Sequence, residues 1–353
     1  MSRSARITIP HRLEYGALRF VETALRCLPL PFVFKLGGFF GAILHSCWGK
    51  QRKLVNRSIT QAFGDQKSPE EIAELTQLSF RRTAGNFFIS FVMPFYSVEE
   101  IKRHAEVKGL ELFNRALEEK RGIIFLVPHM GNWELLAQLV GLFDSDFQVA
   151  THYRPLNNPL VNRLVEERRK AKGLQLFPKR TSSHKLCAFL REGHVLSILA
   201  DQRLASKGDL CAFFGRPTAC SPLPSLLAKR TEAILLGLHC RTLSNGQWEL
   251  SVTEVVGTDS QACAANLEQA WRSSPADVFW FQNRWKLLKQ APLRPLTRKP
   301  FPPAESITKP VRLQLGASLS EKPDLPFPDY LVEWVELDAD LVVEQEHLDQ
   351  INP

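Results

Sequence analysis

A histidine and a carboxylate, His129 and Glu134, stand five residues apart in the segment Gly122 to Glu134, GIIFLVPHMGNWE. An imidazole with one nitrogen held by a carboxylate can take a proton from a hydroxyl with the other. Five residues turn a helix by about 140°, so such a pair meets only across a corner of the chain. The segment supplies that corner. Ile123–Val127 reads as a buried strand, Pro128 ends it, Gly131 permits a sharp turn, and Glu134 falls in the first turn of a helix expected over Trp133–Leu142. Ligands of open α/β sheets bind at the carboxyl ends of strands, which is where His129 emerges. The hydroxyl would belong to the substrate, so the chain would need no serine nucleophile. A histidine with a carboxylate five residues on is common by chance, and a packed or surface role is the plainer alternative.

Other groups end on the same rim. Arg154 follows the expected strand Phe147–Thr151, and its guanidinium suits a phosphate or a carbonyl oxygen gaining charge; a surface ion pair is the alternative. Asp201 and Gln202 follow the expected strand Val195–Leu199. Asp201 reads as orienting Arg154 or a lipid head group, or as capping a turn. Asn158 and Pro159 read as a helix start. The helix they open carries Arg163, Arg168, Arg169, Lys170 and Lys172, either a solvated face or a surface for phosphorylated lipid heads or an acidic carrier protein.

The elements that must position these groups alternate. Strands are expected at Ile123–Val127, Phe147–Thr151, Leu174–Phe177, Val195–Leu199 and Ile234–His239. Between them, helices are expected at Trp133–Leu142, Pro159–Ala171, Ser183–Arg191 and Pro224–Lys229, with Trp248–Thr253 as an antiparallel edge strand. That alternation predicts an α/β fold with a mostly parallel central sheet flanked by helices. Upstream, residues 69–96 read as a helix capped by Ser68, with an aromatic stripe through Phe87, Phe88, Phe91 and Phe95 expected to be core.

The first fourteen residues are polar and basic, without the apolar core of a cleavable signal peptide. Tyr15 to Trp48 is rich in Leu, Phe, Gly and Ala but interrupted by Arg19, Glu22, Arg26, Pro29, Pro31 and Lys35. It reads as a membrane-seated helical hairpin or amphipathic anchor, or else as an ordinary buried helix pair. Lys50, Arg52, Lys53 and Arg57 follow it, the basic cluster that an anchor on a cytoplasmic leaflet needs. Residues 301–353 carry eleven Asp/Glu against three Lys/Arg, which leaves 42 basic and 26 acidic groups, +16, on the first 300 residues. A basic body suits an anionic partner. The seven cysteines include no C-x-x-C pair, so neither a disulfide framework nor a metal site is expected. Hydrophobic residues make up 44% of the chain, enough for a sizeable core. Three units are expected: a membrane-anchoring helical segment over 1–60, a catalytic domain over 61–290, and a Pro-rich linker with an acidic tail over 291–353.

The segment PHMGNWE resembles the H-x4-D/E block of the bacterial lipid A late acyltransferases, in the lysophospholipid acyltransferase superfamily. The resemblance continues in order through LVNRSITQAF (Leu54–Phe63), RPLNNP (Arg154–Pro159), GHVLSILADQ (Gly193–Gln202), FFG (Phe213–Gly215) and RWK (Arg284–Lys286), covering roughly residues 12–290. Departures fall at Ser221–Pro222 and at Gln282–Asn283, and the tail beyond residue 300 matches nothing in the family. The resemblance implies a glycerolphosphate-acyltransferase-like fold on the cytoplasmic face of a bacterial inner membrane. It implies transfer of a fatty acyl group from acyl carrier protein or coenzyme A thioester to an anionic glycolipid such as a lipid A precursor, without metal or tightly bound cofactor. His129 and Glu134 would be catalytic, with Asn132, Arg154, Arg169, Asp201 and Gln202 contacting substrate. Two rivals stay open: an acyl-CoA-dependent acyltransferase for another glycolipid or phospholipid, such as a phosphatidylinositol mannoside, and a catalytically silent membrane scaffold on the same fold. Nucleic acid is not expected as a partner. The string WFQNR at Trp280–Arg284 occurs in homeodomain recognition helices, but strand-like segments precede it here.

Overall fold

The computed structural model describes residues 7–138, 140, 147–204 and 208–285, with two further three-residue strands at 314–316 and 334–336. Four helices come first: α1 (Ile9–Leu25), α2 (Leu30–Cys47), α3 (Gly49–Phe63) and α4 (Pro69–Val92). Pro29 and Pro31 bracket the start of α2, where a missing N–H costs nothing. Ser68 caps α4 as expected: its hydroxyl accepts from the Glu71 N–H at 3.2 Å, and the Glu71 carboxylate accepts from the Ser68 N–H at 2.8 Å.

Glycines let α2 and α4 touch backbone to backbone. A Cβ on Gly37 would lie 2.7 Å from the Ala84 carbonyl oxygen, and one on Gly41 would lie 2.4 Å from that of Phe80. Val33, Phe34, Ile89 and Val92 fill the seam. α3 crosses residue 60 unbroken and buries Val55 and Ile59 in the same cluster as the sheet residues Ile124 and Leu126.

A short helix α5 (Val98–Lys102) leads to β1 (Ala105–Lys108) and α6 (Leu110–Glu118). The αβ body follows: β2 (Ile123–Val127), α7 (Glu134–Gln138), β3 (Val149–Tyr153), α8 (Pro159–Ala171), β4 (Gln175–Pro178), α9 (Ser183–Arg191) and β5 (Val195–Leu199). A hairpin of β6 (Asp209–Phe213) and β7 (Arg216–Cys220), then α10 (Leu223–Thr231), β8 (Ile234–Ser244), β9 (Gln247–Glu254) and α11 (Ser260–Ser273) complete it. The main sheet has seven strands in the order β1-β9-β8-β2-β5-β3-β4. β8, β2, β5, β3 and β4 run parallel, β9 returns antiparallel to β8, and β1 runs parallel to β9. All five residues of β2 are buried, as the centre of a two-sided sheet requires. Each large apolar side chain there contributes roughly 1.5–3 kcal/mol by leaving water.

Two expectations need correction. β9 pairs antiparallel with β8 but is not the edge, because β1 lies outside it. β1 escaped notice because its sequence, AEVK, is short and mostly exposed. The α4 stripe is core only in part: Val92 is buried, but Phe87 is 56% exposed, and Phe95 packs against the guanidinium groups of Arg26 and Arg168, 3.8 and 5.0 Å from its ring centroid. The string Trp280–Arg284 forms no helix, and Trp280 and Arg284 are buried. The linker and tail expected over 291–353 lie outside the described residues, except that β10 (Gln314–Gly316) and β11 (Trp334–Glu336) pair in parallel. Of the helix expected over Trp133–Leu142, α7 is described, and residues 139 and 141–146 are not.

Candidate active site

Strand register brings two segments distant in sequence side by side. β2 and β5 are neighbours with Val127 opposite Leu199, and the Ala200 N–H donates to the Val127 carbonyl at 3.2 Å. Two residues further along each strand, His129 meets Asp201. One Asp201 oxygen accepts the His129 backbone N–H at 2.7 Å, and the other lies 2.6 Å from the imidazole Nδ1. Asp201 is 3% exposed. Its burial acts to raise its pKa, but the adjacent His129, both hydrogen bonds and the Arg284 charge outweigh that, so its carboxyl stays below the usual range. For His129, burial acts to lower the pKa, while Asp201 and the more distant Glu134 charge raise it; the net direction is upward.

We assign the neutral imidazole its proton on Nδ1, donated to Asp201, from the hydrogen-bond network. Nε2 is then a free acceptor. Its neighbour is the exposed Gln202, whose amide Nε2 lies 3.3 Å away and donates to it. The ring stands edge-on to Trp133 at 5.3 Å and tilted against Phe279 at 6.4 Å.

The carboxylate that meets His129 is therefore Asp201, where Glu134 was expected. Glu134 accepts from Nη2 of Arg169 through both oxygens, at 2.7 and 2.9 Å. The corner does bring Glu134 near enough to act on His129 through its charge. Nor does Asp201 orient Arg154. Arg154 follows β3, the strand next to β5, but it is exposed, whereas the buried Asp201 carboxylate has both oxygens on His129. Asn132 is buried, and its Oδ1 accepts from the Ser90 hydroxyl at 3.2 Å, which ties the loop to α4.

A strap that the sequence reading did not single out holds the loop from the other side. The Gly131 N–H donates to the Asp277 carbonyl and the Phe279 N–H to the His129 carbonyl, both at 2.9 Å. The Asp277 carboxylate is buried and accepts from Arg82 of α4 at 2.9 Å, from the Thr242 N–H at 2.9 Å and from the Ser274 hydroxyl at 2.6 Å. Gly131 sits at φ +56°, with the Cys240 carbonyl oxygen 2.3 Å from where a Cβ would stand, so only glycine fits this corner.

A sequence model of the bacterial lipid A biosynthesis acyltransferases matches residues 3–287. The chain belongs to that family. A phosphatidylinositol mannoside acyltransferase of Mycobacterium tuberculosis (strain CDC 1551 / Oshkosh) is 29% identical over 212 residues, 55% of this chain and 65% of the relative. The chain thus covers just under two thirds of that relative's length. A protein of the same name from Mycolicibacterium smegmatis is 26% identical over 247 residues, 65% of this chain and 78% of the relative. A lipid A biosynthesis palmitoleoyltransferase of Escherichia coli (strain K12) is 24% identical over 269 residues, 73% and 86% of the two chains.

Two blocks of this family member turn out to be one structural unit. Phe214 and Gly215, both at positive φ, turn the β6–β7 hairpin. Trp285 then packs on Phe213 and donates its indole N–H to the Phe213 carbonyl at 3.2 Å. The preceding residue, Arg284, stacks over the Phe213 ring at 4.9 Å and donates to the Cys220 sulfur at 3.0 Å.

Proposed function

We propose that this family member transfers a fatty acyl group from a thioester to a hydroxyl of a glycolipid. The observation that carries the reading is the single open nitrogen of His129, with its other nitrogen fixed on a buried carboxylate at a strand end. His129 Nε2 takes the proton of the acceptor hydroxyl as Gln202 gives way. The oxygen attacks the thioester carbonyl, the tetrahedral intermediate collapses, and the departing thiolate takes the proton back from the imidazolium. Asp201 stabilises the imidazolium directly and Glu134 through its charge. Glu134 also fixes Arg169 at the edge of the site, and exposed Arg154 on the same rim is free to meet an anionic head group. Trp133 and Phe279, both partly exposed beside the His129 ring, give the site an apolar wall suited to the acyl group. The donor is acyl carrier protein or coenzyme A thioester.

The outer surface of the first helices supports a reaction at a membrane. α2 has 18 residues, a mean hydropathy of 1.4 and only 28% of its length buried. Phe32, Phe39, Phe40, Ile43 and Leu44 are exposed along it, with Trp48 at its end and Phe20 of α1 75% exposed. So many exposed aromatic and aliphatic side chains on one apolar helix support seating in a bilayer. The basic residues after α2 suit the cytoplasmic leaflet of a bacterial inner membrane, and the anchor expected over residues 1–60 is then carried by α1 and α2, because α3 packs on the sheet.

Two acceptors fit. The family and the palmitoleoyltransferase relative favour a lipid A precursor, whose negative charge suits the basic body; the mycobacterial relatives favour a phosphatidylinositol mannoside or similar glycolipid. Purified protein in detergent, offered acyl carrier protein and coenzyme A thioesters with either acceptor, tests the proposal. Acylated lipid detected by mass spectrometry, and lost in His129→Ala with folding retained, supports it. Equal product from His129→Ala contradicts it.

A further inference from the structure

Beside Glu134 lies a small pocket of about 50 Å³. Its apolar walls are Met93, Pro94 and Val165, and its polar walls are Ser90, Glu134, Gln138 and the α8 pair Arg168 and Arg169. Gln138 follows Glu134 by one helical turn, so both side chains leave α7 on one face.

Two buried polar atoms of these walls have no partner among the described residues: the side-chain oxygen Oε1 of Gln138 and the Nε of Arg169. Gln138 is 3% exposed, so bulk water does not satisfy it. An unpaired buried polar atom is rare and costly, and in a native site it marks the place of a missing partner. One of these atoms wants a donor and the other an acceptor. The charges around them are already spent: Arg169 pairs with Glu134, and Arg168 pairs with the buried Glu22 of α1. A phosphate or carboxylate would find no free cation here and would meet the Glu134 carboxylate. A neutral hydroxyl donates and accepts at once, and a pocket of this size takes a group of that bulk.

We infer that this pocket receives a second, non-reacting hydroxyl of a polyhydroxylated acceptor, with Gln138 Oε1 accepting its proton and Arg169 Nε donating to its oxygen. The inference rests on the acyl-transfer reading and deepens it: Gln138 and Arg169 hold the glycolipid's sugar through a hydroxyl other than the one acylated. Arg169 is both anchored by Glu134 and aimed by it, so the carboxylate of the H-x4-E block positions the donor that grips the acceptor.

The test compares two acceptors of equal chain length, dodecyl β-glucoside and dodecanol, with palmitoyl-coenzyme A as donor in an amine-oxide detergent. Product is read by mass spectrometry for wild type, Gln138→Leu and Gln138→Glu, with thermal melting as the folding control. Wild type should prefer the glucoside. Gln138→Leu should lose about tenfold of that preference, in KM rather than kcat, as expected for one hydrogen bond removed from a buried site. Gln138→Glu keeps an acceptor oxygen but brings a second carboxylate to the Glu134–Arg169 pair, so it should retain more of the preference than Gln138→Leu, and most at the acid end of the active range. A Gln138→Leu protein that slows both acceptors equally, or neither, overturns the inference, because the pocket then holds only water or has a structural role. If wild type acylates neither acceptor and transfers from neither coenzyme A nor carrier-protein thioesters to any glycolipid, the acyl-transfer reading falls and takes this one with it.

Discussion

Replacing Asp201 with Asn should cripple the reaction without removing any atom from the site. The carboxylate serves two donors at once, the His129 backbone N–H at 2.7 Å and Nδ1 at 2.6 Å. An amide has one acceptor oxygen for the two. If that oxygen keeps the backbone N–H, the amide NH₂ faces Nδ1, and the imidazole proton moves to Nε2, where the base is needed. If the amide turns over, a buried backbone N–H faces an NH₂ and goes unpaired. Either arrangement costs about 1–3 kcal/mol. The imidazolium formed in the reaction also loses a charge-assisted bond, worth about 1.5–3 kcal/mol. Together these give roughly 3–5 kcal/mol, a fall in kcat/KM of roughly 10²- to 10⁴-fold. The pH profile supplies a second readout. The pKa of His129 is raised in the folded protein by Asp201 and Glu134, so the active neutral form appears only above the ordinary histidine value of 6.5. With Asp201 neutralised, burial gains ground and the acid limb of kcat/KM moves to lower pH. Thiol release and acylated lipid, followed from pH 5 to 9 with equal melting temperatures verified, measure both effects. A variant within tenfold of wild type, or an unmoved acid limb, would refute the His129–Asp201 pairing as the working dyad.

Other outcomes follow from the same geometry. Glu134→Gln and Arg169→Met should each lower kcat/KM, and the double variant should lose less than their sum, with a coupling of about 1–2 kcal/mol in a double-mutant cycle; strict additivity would dissolve the pair. Gly131→Ala must place a side chain against the Cys240 carbonyl at positive φ, so melting should fall by several degrees and activity with it; an unchanged melt contradicts the corner geometry. Asp277→Ala leaves Arg82 and the Thr242 N–H without their shared partner and should cost about 3 kcal/mol in stability by chemical denaturation, near the lower end for a buried pair because Arg82 is partly exposed. Phe32→Glu combined with Phe39→Glu, two turns apart on the exposed face of α2, should release the protein from anionic vesicles in a flotation assay while leaving the melt of the body unchanged.

How far the sequence speaks depends on how local the cause is. β2, β5, α8 and α9 begin and end where the residues announce it, because unbroken apolar runs bounded by Gly and Pro, or capped helices with one apolar side, are decided within a few residues. The His129 corner was legible for the same reason: strand, Pro, Gly and helix follow one another within thirteen residues. Its partner was not. Asp201 was placed on the correct rim, but pairing it with His129 requires knowing that β5 lies beside β2, although β3 and β4 come between them in the chain. Spacing pointed instead to Glu134, and no local pattern reveals that Arg169, 35 residues on, takes that carboxylate. The strap through Asp277 carries no periodicity at all; its meaning lies in contacts with α4 and β8. The exposed phenylalanines of α2 and α4 show a further limit, since an apolar stripe has the same pattern whether it faces a core or a bilayer.

The tautomer of His129 tests the central claim most directly. Selective ¹⁵N labelling of histidine, with His129→Gln to assign the resonance, reports the protonation of each ring nitrogen by NMR. Above its raised pKa, His129 should carry its proton on Nδ1, with Nε2 bare, and this state should persist until the carboxylate of Asp201 is removed. A proton found on Nε2 in the wild-type protein would leave no base facing the acceptor and would contradict the mechanism.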